Sequence, residues 1–260
     1  MLLVIDVGNT NTTLGVFTGK ELRAQWRLTT NREQTADEYG ILTRNLFTLD
    51  GIQSGQIAGI MIASVVPPLN AVLEEMSEKY FHLKPVFLGP GTRTGMSILY
   101  ENPQEVGADR IADSVAAFEK YGGPCIIVDF GTAITFDAVS EKGEYLGGVI
   151  APGVGISAEA LFQHTARLPH VEIREPQRVI GTNTVSSMQS GLFYGAVGMV
   201  DGILDRLCAV LGEKTKVIAT GGQAGLVAAA SKYKPPVDPA LTLEGLRMIY
   251  ERNLPGARHR

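Results

Sequence analysis

The sequence predicts an α/β protein that is built from two similar halves. Two observations predict this fold class. First, an apolar strand that ends in Asp-x-Gly, followed by a turn rich in Thr and by a second strand, occurs at residues 2–13 and again at 125–135. Second, each copy opens a run of three strands that is followed by helices alternating with strands. The order βββαβαβα is therefore expected twice, with a mixed sheet in each half.

Hydrophobic periodicity and capping signals define the elements of the first half. A capping box formed by Thr35 and Glu38 marks the start of its first helix. The almost wholly apolar run from Ile57 to Val66 ends at two prolines, which predicts a buried strand. The predicted elements are strands at 2–7, 12–17, 21–29, 57–66 and 85–88, and helices at 35–48, 68–80 and 109–121.

The order of elements restarts after Gly122-Gly123-Pro124, a sequence that punctuates the chain. Three meandering strands followed by alternating helix and strand form a ribonuclease H-like arrangement. We therefore expect two such domains, 1–121 and 122–260, that face a nucleotide in the cleft between them. The elements predicted for the second half are strands at 125–130, 133–139, 145–150 and 215–220, and helices at 155–163, 184–211, 223–232 and 242–252.

The composition of the 260 residues is that of an ordinary globular protein, with 45% hydrophobic and 19% charged residues. The net charge of −4 argues against a nucleic-acid-binding surface, and the basic cluster at 258–260 is predicted to be a frayed tail. Cys125 and Cys208 lie in apolar runs, which indicates buried thiols in a reducing cytosol. No signal peptide or membrane span is expected, so the predicted location is the cytoplasm.

The first Asp-x-Gly turn has the chemistry of a phosphate site. A carboxylate at a strand end can hold a hydrated metal ion, glycine lets backbone N–H groups approach phosphate oxygens, and hydroxyl groups supply further donors. A single turn of this kind can carry Asp and Gly for turn geometry alone, but its recurrence with matching flanks favours a nucleotide site. The residues predicted to bind ATP and its phosphates here are Asp6, Val7, Gly8, Asn9, Thr10, Asn11, Thr12 and Thr13.

A second candidate group is Asp109, at the start of a predicted helix. Phosphoryl transfer to an alcohol needs a carboxylate that takes the proton from the attacking hydroxyl. The alternative interpretation is that Asp109 caps the helix, because an aspartate there is favoured by hydrogen bonding and by the helix dipole.

The sequence resembles the type III pantothenate kinase family, within the acetate-kinase, sugar-kinase and actin superfamily. The matching blocks occur in the family's order and span nearly the whole chain. They are Asp6–Thr12, Gly107–Arg110, Asp129–Ala133, Gly147–Gly153, Gly181–Thr184, Gly221–Gln223 and Leu241–Leu246.

The resemblance implies that ATP phosphorylates the primary hydroxyl of pantothenate, which gives 4′-phosphopantothenate in the first step of coenzyme A biosynthesis. It implies that Asp6 organises Mg²⁺ through water, that Asp109 is the general base, and that Asp129 holds a monovalent cation, K⁺ or NH₄⁺. Thr132 is implied to contact the nucleotide, and the family consists of homodimers. The implied pantothenate-binding residues are Tyr100, Gly107, Ala108, Asp109, Arg110 and Thr184.

Several alternatives stay open at this stage. Tyr100 could serve packing alone, and Thr184 could be the N-cap of the long helix. A sugar or an acetate-like carboxylate could replace pantothenate as the acceptor, or the protein could be a nucleotide-sensing accessory protein on the same fold. The long helix carries a face of glycines that predicts close approach of another backbone, from the same chain or from a second subunit: Gly191, Gly195, Gly198 and Gly202.

Overall fold

The computed structural model describes residues 1–254, so the tail predicted at 258–260 lies outside the described residues. Its elements are β1 Leu2–Val7, β2 Asn11–Thr18, β3 Glu21–Thr29, α1 Ala36–Leu49, β4 Gly59–Ser64, α2 Asn70–Phe81, β5 Val86–Phe87, β6 Ser97–Ile98, α3 Ala108–Tyr121, β7 Cys125–Phe130, β8 Ala133–Val139, β9 Glu144–Pro152, α4 Val154–Gln163, α5 Thr184–Leu211, β10 Lys216–Thr220, α6 Ala224–Ala230 and α7 Leu241–Arg252. The predicted order of elements is confirmed. The main differences are the unpredicted β6 and a 3₁₀ turn, Pro67–Leu69, in front of α2.

The first sheet has the strand order β3-β2-β1-β4-β5. β1 pairs antiparallel with β2 and parallel with β4, and β2 pairs antiparallel with β3. One face of β3 is exposed, whereas β4 is buried along nearly its whole length. This difference explains why β3 alternates in sequence and β4 reads as a continuous apolar run.

The second sheet repeats this pattern. β7 pairs antiparallel with β8 and parallel with β10, and β8 pairs antiparallel with β9. The carboxyl end of β7 thus corresponds to the carboxyl end of β1, with a parallel strand beside each. Both sheets are mixed, and the ribonuclease H-like arrangement is confirmed.

By internal contacts the chain forms two compact units, one made of Met1–Ala116 with the C-terminal α7 and the other of Ala117–Ala240. The predicted division into 1–121 and 122–260 places α7 with the second half instead. α7 packs so closely against α3 that a Cβ atom on Gly245 would lie 2.0 Å from the carbonyl oxygen of Ala112. Leu243, Leu246 and Ile249 of the same helix are buried.

A capping box and one shared carboxylate fix the two helices that cover the first sheet. Thr35 and Glu38 form the predicted capping box of α1. Asp37 of α1 accepts hydrogen bonds from the Lys79 ammonium at 2.6 Å and the Tyr80 hydroxyl at 2.8 Å, which ties α1 to α2.

The two cysteines differ in burial. Cys125 on β7 is buried as predicted, and burial raises the pKa of its thiol to about 12. Cys208 is only half-buried, so the prediction of a buried thiol is wrong there, because α5 exposes much of its last turns.

None of the helices formed by residues 1–254 combines the length and the apolar character needed to cross a membrane.

Candidate active site

The first turn joins β1 to β2 and begins at Asp6, which lies next to last on β1. The Gly8 N–H donates to the Asn11 carbonyl at 2.9 Å, so the turn is tight. A Cβ atom on Gly8 would lie only 3.1 Å from that same oxygen. This bond closes the turn between Gly8 and Asn11 and leaves Asn9 and Thr10 at its exposed tip.

The predicted ATP-binding residues of this turn differ in exposure. Their exposure decides which of them can reach a ligand directly. Asn9 and Thr10 are exposed, Asp6, Gly8, Asn11 and Thr13 are half-buried, and Val7 and Thr12 are buried. The Thr12 hydroxyl lies 2.9 Å from the Thr30 hydroxyl. The buried Thr12 side chain therefore stabilises the turn and does not face a ligand.

The second turn, between β7 and β8, is held by backbone hydrogen bonds. The Gly131 N–H donates to the Ala133 carbonyl at 3.0 Å, and the Gly153 N–H donates to the Thr132 carbonyl at 3.2 Å. A Cβ atom on Gly153 would lie 2.2 Å from that carbonyl oxygen, so only glycine fits. The Thr132 side chain is exposed.

Asp129, at the end of β7, is half-buried beneath the turn that follows β10. Gly221 opens this turn with φ +93°, and a Cβ atom on it would lie 2.2 Å from Asp129 Oδ1. The Gln223 N–H donates to the Phe130 carbonyl at 3.2 Å, which fixes the turn against β7. The Gly221-Gly222 turn therefore encloses the Asp129 carboxylate.

Asp109 is the second residue of α3 and is not its N-cap, so the capping interpretation is wrong. Its Oδ1 accepts the Arg110 N–H at 2.8 Å. A Cβ atom on Gly107 would lie 2.4 Å from Oδ1, so the carboxylate occupies space that only glycine leaves open. Burial raises the pKa of Asp109, and the Arg110 N–H and the Arg110 charge oppose this rise.

The remaining predicted substrate-binding residues have two locations. Arg110 is buried, and Gly107 and Ala108 beside it are half-buried. Tyr100 is half-buried in the segment between β6 and α3.

Thr184 is exposed in the first turn of α5. The N-cap of α5 is Asn183, whose side chain accepts the Ser186 N–H at 2.9 Å, so the interpretation of Thr184 as the cap is wrong. Thr184 instead lines an open cavity of about 740 Å³, whose walls include Leu161, Leu168, Gly181, Met188 and Leu192. The cavity is lined by apolar side chains together with the polar side chains of Thr182, Asn183, Thr184 and Ser187.

The glycine face of α5 has no neighbour among residues 1–254. Within residues 1–254, no atom outside the local helix lies within 4 Å of a Cβ position on Gly191, Gly195 or Gly198. A Cβ atom on Gly202 would contact only Arg206 of the same helix, at 3.5 Å. The interpretation that these glycines pack against another helix of the same chain is therefore wrong.

The candidate metal ligands are single carboxylates. Across residues 1–254, no group of three or more His, Cys, Asp and Glu side chains is placed so that it could hold a metal ion. Asp6 and Asp129 each offer one carboxylate from a strand end. Single carboxylates suit cations whose other ligands are water, backbone carbonyls or phosphate oxygens.

Two residues around the first turn were missed by sequence reasoning. Thr30 and Arg32 follow β3, and the Arg32 guanidinium donates to Asn9 Oδ1 at 3.2 Å. The signal that could have found them is the hairpin register, because Thr29 pairs with Asn11 and so brings the next residues beside the turn.

Comparisons with known proteins show the family to which the chain belongs. A family model described as Type III pantothenate kinase matches residues 2–206. A type III pantothenate kinase from Koribacter versatilis is 60% identical over 270 aligned residues, which cover 100% of this chain and 98% of the relative. One from Myxococcus xanthus is also 60% identical and covers 97% of this chain and 99% of the relative.

Solved structures show the fold. A protein from Campylobacter jejuni described as a Baf family transcriptional activator matches with a TM-score of 0.59 at 22% identity, covering 96% of this chain and 98% of that one. Component A of the (R)-2-hydroxyglutaryl-CoA dehydratase of Acidaminococcus fermentans matches with a TM-score of 0.53 at 13% identity, covering 96% of each chain.

The raised pKa of Asp109 predicts a pH-dependent effect of Asp109→Asn on stability. Because the pKa in the folded protein lies above the unfolded value of 3.8, the folded state binds the proton more tightly, and the ionised carboxylate lowers the free energy of unfolding above pH 3.8. We expect the Asn variant to melt at a higher temperature than the wild type at pH 7, with the gain vanishing below pH 3.8. Thermal melts over a pH series measure this.

Asp37→Asn is the matched control with the opposite sign. Hydrogen bonds from Lys79 and Tyr80 lower the pKa of Asp37, so its ionised form stabilises the folded state at neutral pH. This variant loses stability at pH 7, and the loss disappears as the pH falls through the lowered pKa. If both variants shifted the melting temperature in the same direction at pH 7, the assignment for Asp109 would be wrong.

Proposed function

The chain belongs to the type III pantothenate kinase family, and on that premise we propose how its own residues carry out the reaction. It is a kinase that transfers the γ-phosphoryl group of ATP to the primary hydroxyl of pantothenate, in coenzyme A biosynthesis. The observation that carries the assignment of residues is the placement of Asp109, a partly buried carboxylate with a raised pKa at the start of α3, beside the buried Arg110.

The turn from Asp6 to Thr13 binds the phosphates of ATP. The hydrogen bond from Gly8 to Asn11 supports this role, because it holds a tight turn whose tip is exposed. The exposed Asn9 and Thr10 are placed to donate directly to phosphate oxygens. The Asp6 carboxylate would hold Mg²⁺ through water, which suits an ion that releases its own water reluctantly. When bound, the ion would supply positive charge that offsets the charge of the triphosphate.

Asp109 takes the proton from the pantothenate hydroxyl. A carboxylate in water is a weak base, and partial burial raises its pKa and so its attraction for the proton. The Gly107 backbone leaves the space that the carboxylate occupies. Arg110 supplies a permanent positive charge for the substrate carboxylate or for charge that develops on the phosphoryl group.

We assign Tyr100, Gly107 and Ala108 in the first unit to pantothenate binding, and Thr184 in the second unit to the same role. Thr184 lies on the wall of a cavity that combines apolar side chains with hydroxyl and amide groups. Pantothenate carries both a branched apolar centre and an amide, so this lining matches its chemistry.

Asp129 holds a monovalent cation, K⁺ or NH₄⁺, and Thr132 contacts the nucleotide. The exposed Thr132 side chain and the half-buried Asp129 carboxylate belong to the same turn. The Gly221 turn lies against this carboxylate, and backbone carbonyl oxygens such as those of a turn are ligands that suit a large cation held weakly.

The protein is a homodimer whose contact includes the glycine face of α5, and it acts in the cytoplasm. Each glycine within a helix costs about 1 kcal/mol relative to alanine, and no part of residues 1–254 packs on this face to offset that cost. The exposed Val185 and Tyr194 on the same helix extend the uncovered surface. A second copy of the chain is the partner that explains both features.

The first prediction for catalysis concerns Asp109→Asn. The amide keeps the shape of the side chain but cannot accept the proton, so we expect kcat to fall roughly 10²–10⁴-fold while both substrates still bind. A coupled assay of ADP release, with and without pantothenate, measures the rate, and calorimetry measures binding. Glu119→Gln, an exposed carboxylate on the same helix, is the control. Near-normal turnover of the Asp109 variant would remove Asp109 from the mechanism.

The second prediction concerns the monovalent cation. Replacement of K⁺ by Na⁺ at equal ionic strength should lower kcat strongly, because the smaller ion does not fit a site sized for K⁺. In Asp129→Asn the rate should lose its dependence on the choice of cation. Equal rates of the wild type in both salts would contradict a cation at Asp129.

The third prediction concerns the subunit contact. Gly195→Leu should convert a dimer into a monomer, because the new side chain fills space that the partner's backbone needs. Sedimentation velocity measures the change. Gly225→Leu, on α6 and also without neighbours within 4 Å, should stay dimeric. A wild-type protein that sediments as a monomer at micromolar concentration would disprove the proposed dimer.

A further inference from the structure

Thr30, just beyond the end of β3, makes three hydrogen bonds to the first turn. Its N–H donates to the Thr10 carbonyl at 2.9 Å, and its hydroxyl donates to the Gly8 carbonyl at 2.7 Å. The same hydroxyl oxygen lies 2.9 Å from the Thr12 hydroxyl. Thr30 thus contacts the turn at three positions, Gly8, Thr10 and Thr12.

The direction of these bonds follows from the number of protons. A threonine hydroxyl has a single proton, and Thr30 gives its proton to the Gly8 carbonyl. The Thr12 hydroxyl is therefore the donor to Thr30. Because Thr12 is fully buried, this chain of two hydroxyls connects the interior of the protein to the backbone of the turn.

The bond to Gly8 also orients the next N–H group. In a planar trans peptide the carbonyl and the following N–H point in opposite directions, and the only cis peptide among the described residues is Gly123–Pro124. The Gly8 carbonyl points at Thr30, so the Asn9 N–H points away from Thr30. An N–H donor that already points towards its site costs less free energy when a charged phosphate binds than a donor that must first reorient.

We propose that Thr30 is a positioning residue for phosphoryl transfer, whose hydroxyl holds the Gly8–Asn9 peptide in the orientation that receives the phosphates of ATP. The inference rests on the proposed function of the first turn. It adds a residue outside the turn that acts on the nucleotide through the backbone and does not contact the substrate.

Thr30→Val tests this role, because valine keeps the shape of threonine and lacks the hydroxyl. Valine removes both hydrogen bonds of the Thr30 hydroxyl, the one to the Gly8 carbonyl and the one from Thr12. Loss of a hydrogen bond between neutral groups corresponds to roughly a tenfold change in an equilibrium constant. We expect KM for ATP, and the dissociation constant of a non-hydrolysable ATP analogue measured by calorimetry, to rise about tenfold. KM for pantothenate should stay within about twofold of the wild type. If the valine variant does not fold, Thr30→Ala removes the same hydroxyl and is judged by the same measurements.

Two controls separate positioning from a general structural role. Thr30→Ser keeps the hydroxyl and should restore KM for ATP to within about threefold of the wild type. Thr18→Val makes the same chemical change at the far end of β2, on an exposed side chain, and should leave both KM values unchanged. Wild-type ATP affinity in Thr30→Val, or equal loss of ATP affinity in the Ser and Val variants, would overturn the proposal.

Failure of the proposed function gives a different result. If the wild-type protein released no ADP in response to pantothenate, the assignment as this kinase would fail. The calorimetric comparison of the ATP analogue binding to the wild type, Thr30→Val and Thr30→Ser would still decide the role of Thr30.

Discussion

Two candidate sites each depend on an aspartate that lies against a glycine at which no side chain fits. A Cβ atom on Gly107 would lie 2.4 Å from Asp109 Oδ1, and one on Gly221 would lie 2.2 Å from Asp129 Oδ1. Contacts this short would force the carboxylate or the backbone to move. At Gly107 an added methyl group would meet chiefly the carboxylate of Asp109, whereas at Gly221 it would also clash with the backbone of Phe130, 2.6 Å away.

The two Asp-x-Gly turns share their sequence pattern, yet different parts of the chain support them. The first is held from outside by Thr30, through two backbone carbonyls and one buried hydroxyl. The second is held by the backbone N–H groups of Gly153 and Gln223. The two copies of the strand–turn–strand unit thus keep the same local pattern, although different residues hydrogen-bond to each turn. This difference fits the different ions proposed for Asp6 and Asp129.

Most of the fold could be predicted from the sequence, because hydrophobic periodicity and the capping box are local signals. The same signals do not say which sheet a helix covers, so α7 was placed with the second half although it packs against α3 in the first unit. The support from Thr30 also escaped prediction, since about 20 residues separate it from Gly8. Only the register of the β2–β3 hairpin brings the two together, and register depends on the folded pairing.

Asp109 is subject to two opposing influences that together suit a general base. Burial favours the protonated form, whereas the Arg110 N–H and charge favour the carboxylate. With burial alone the group would tend to be protonated already and could not accept a proton. With full solvation and the arginine alone it would attract the substrate proton too weakly. Arg110, proposed to bind pantothenate, therefore has a second effect: its N–H and its charge limit the rise that burial causes in the pKa of Asp109.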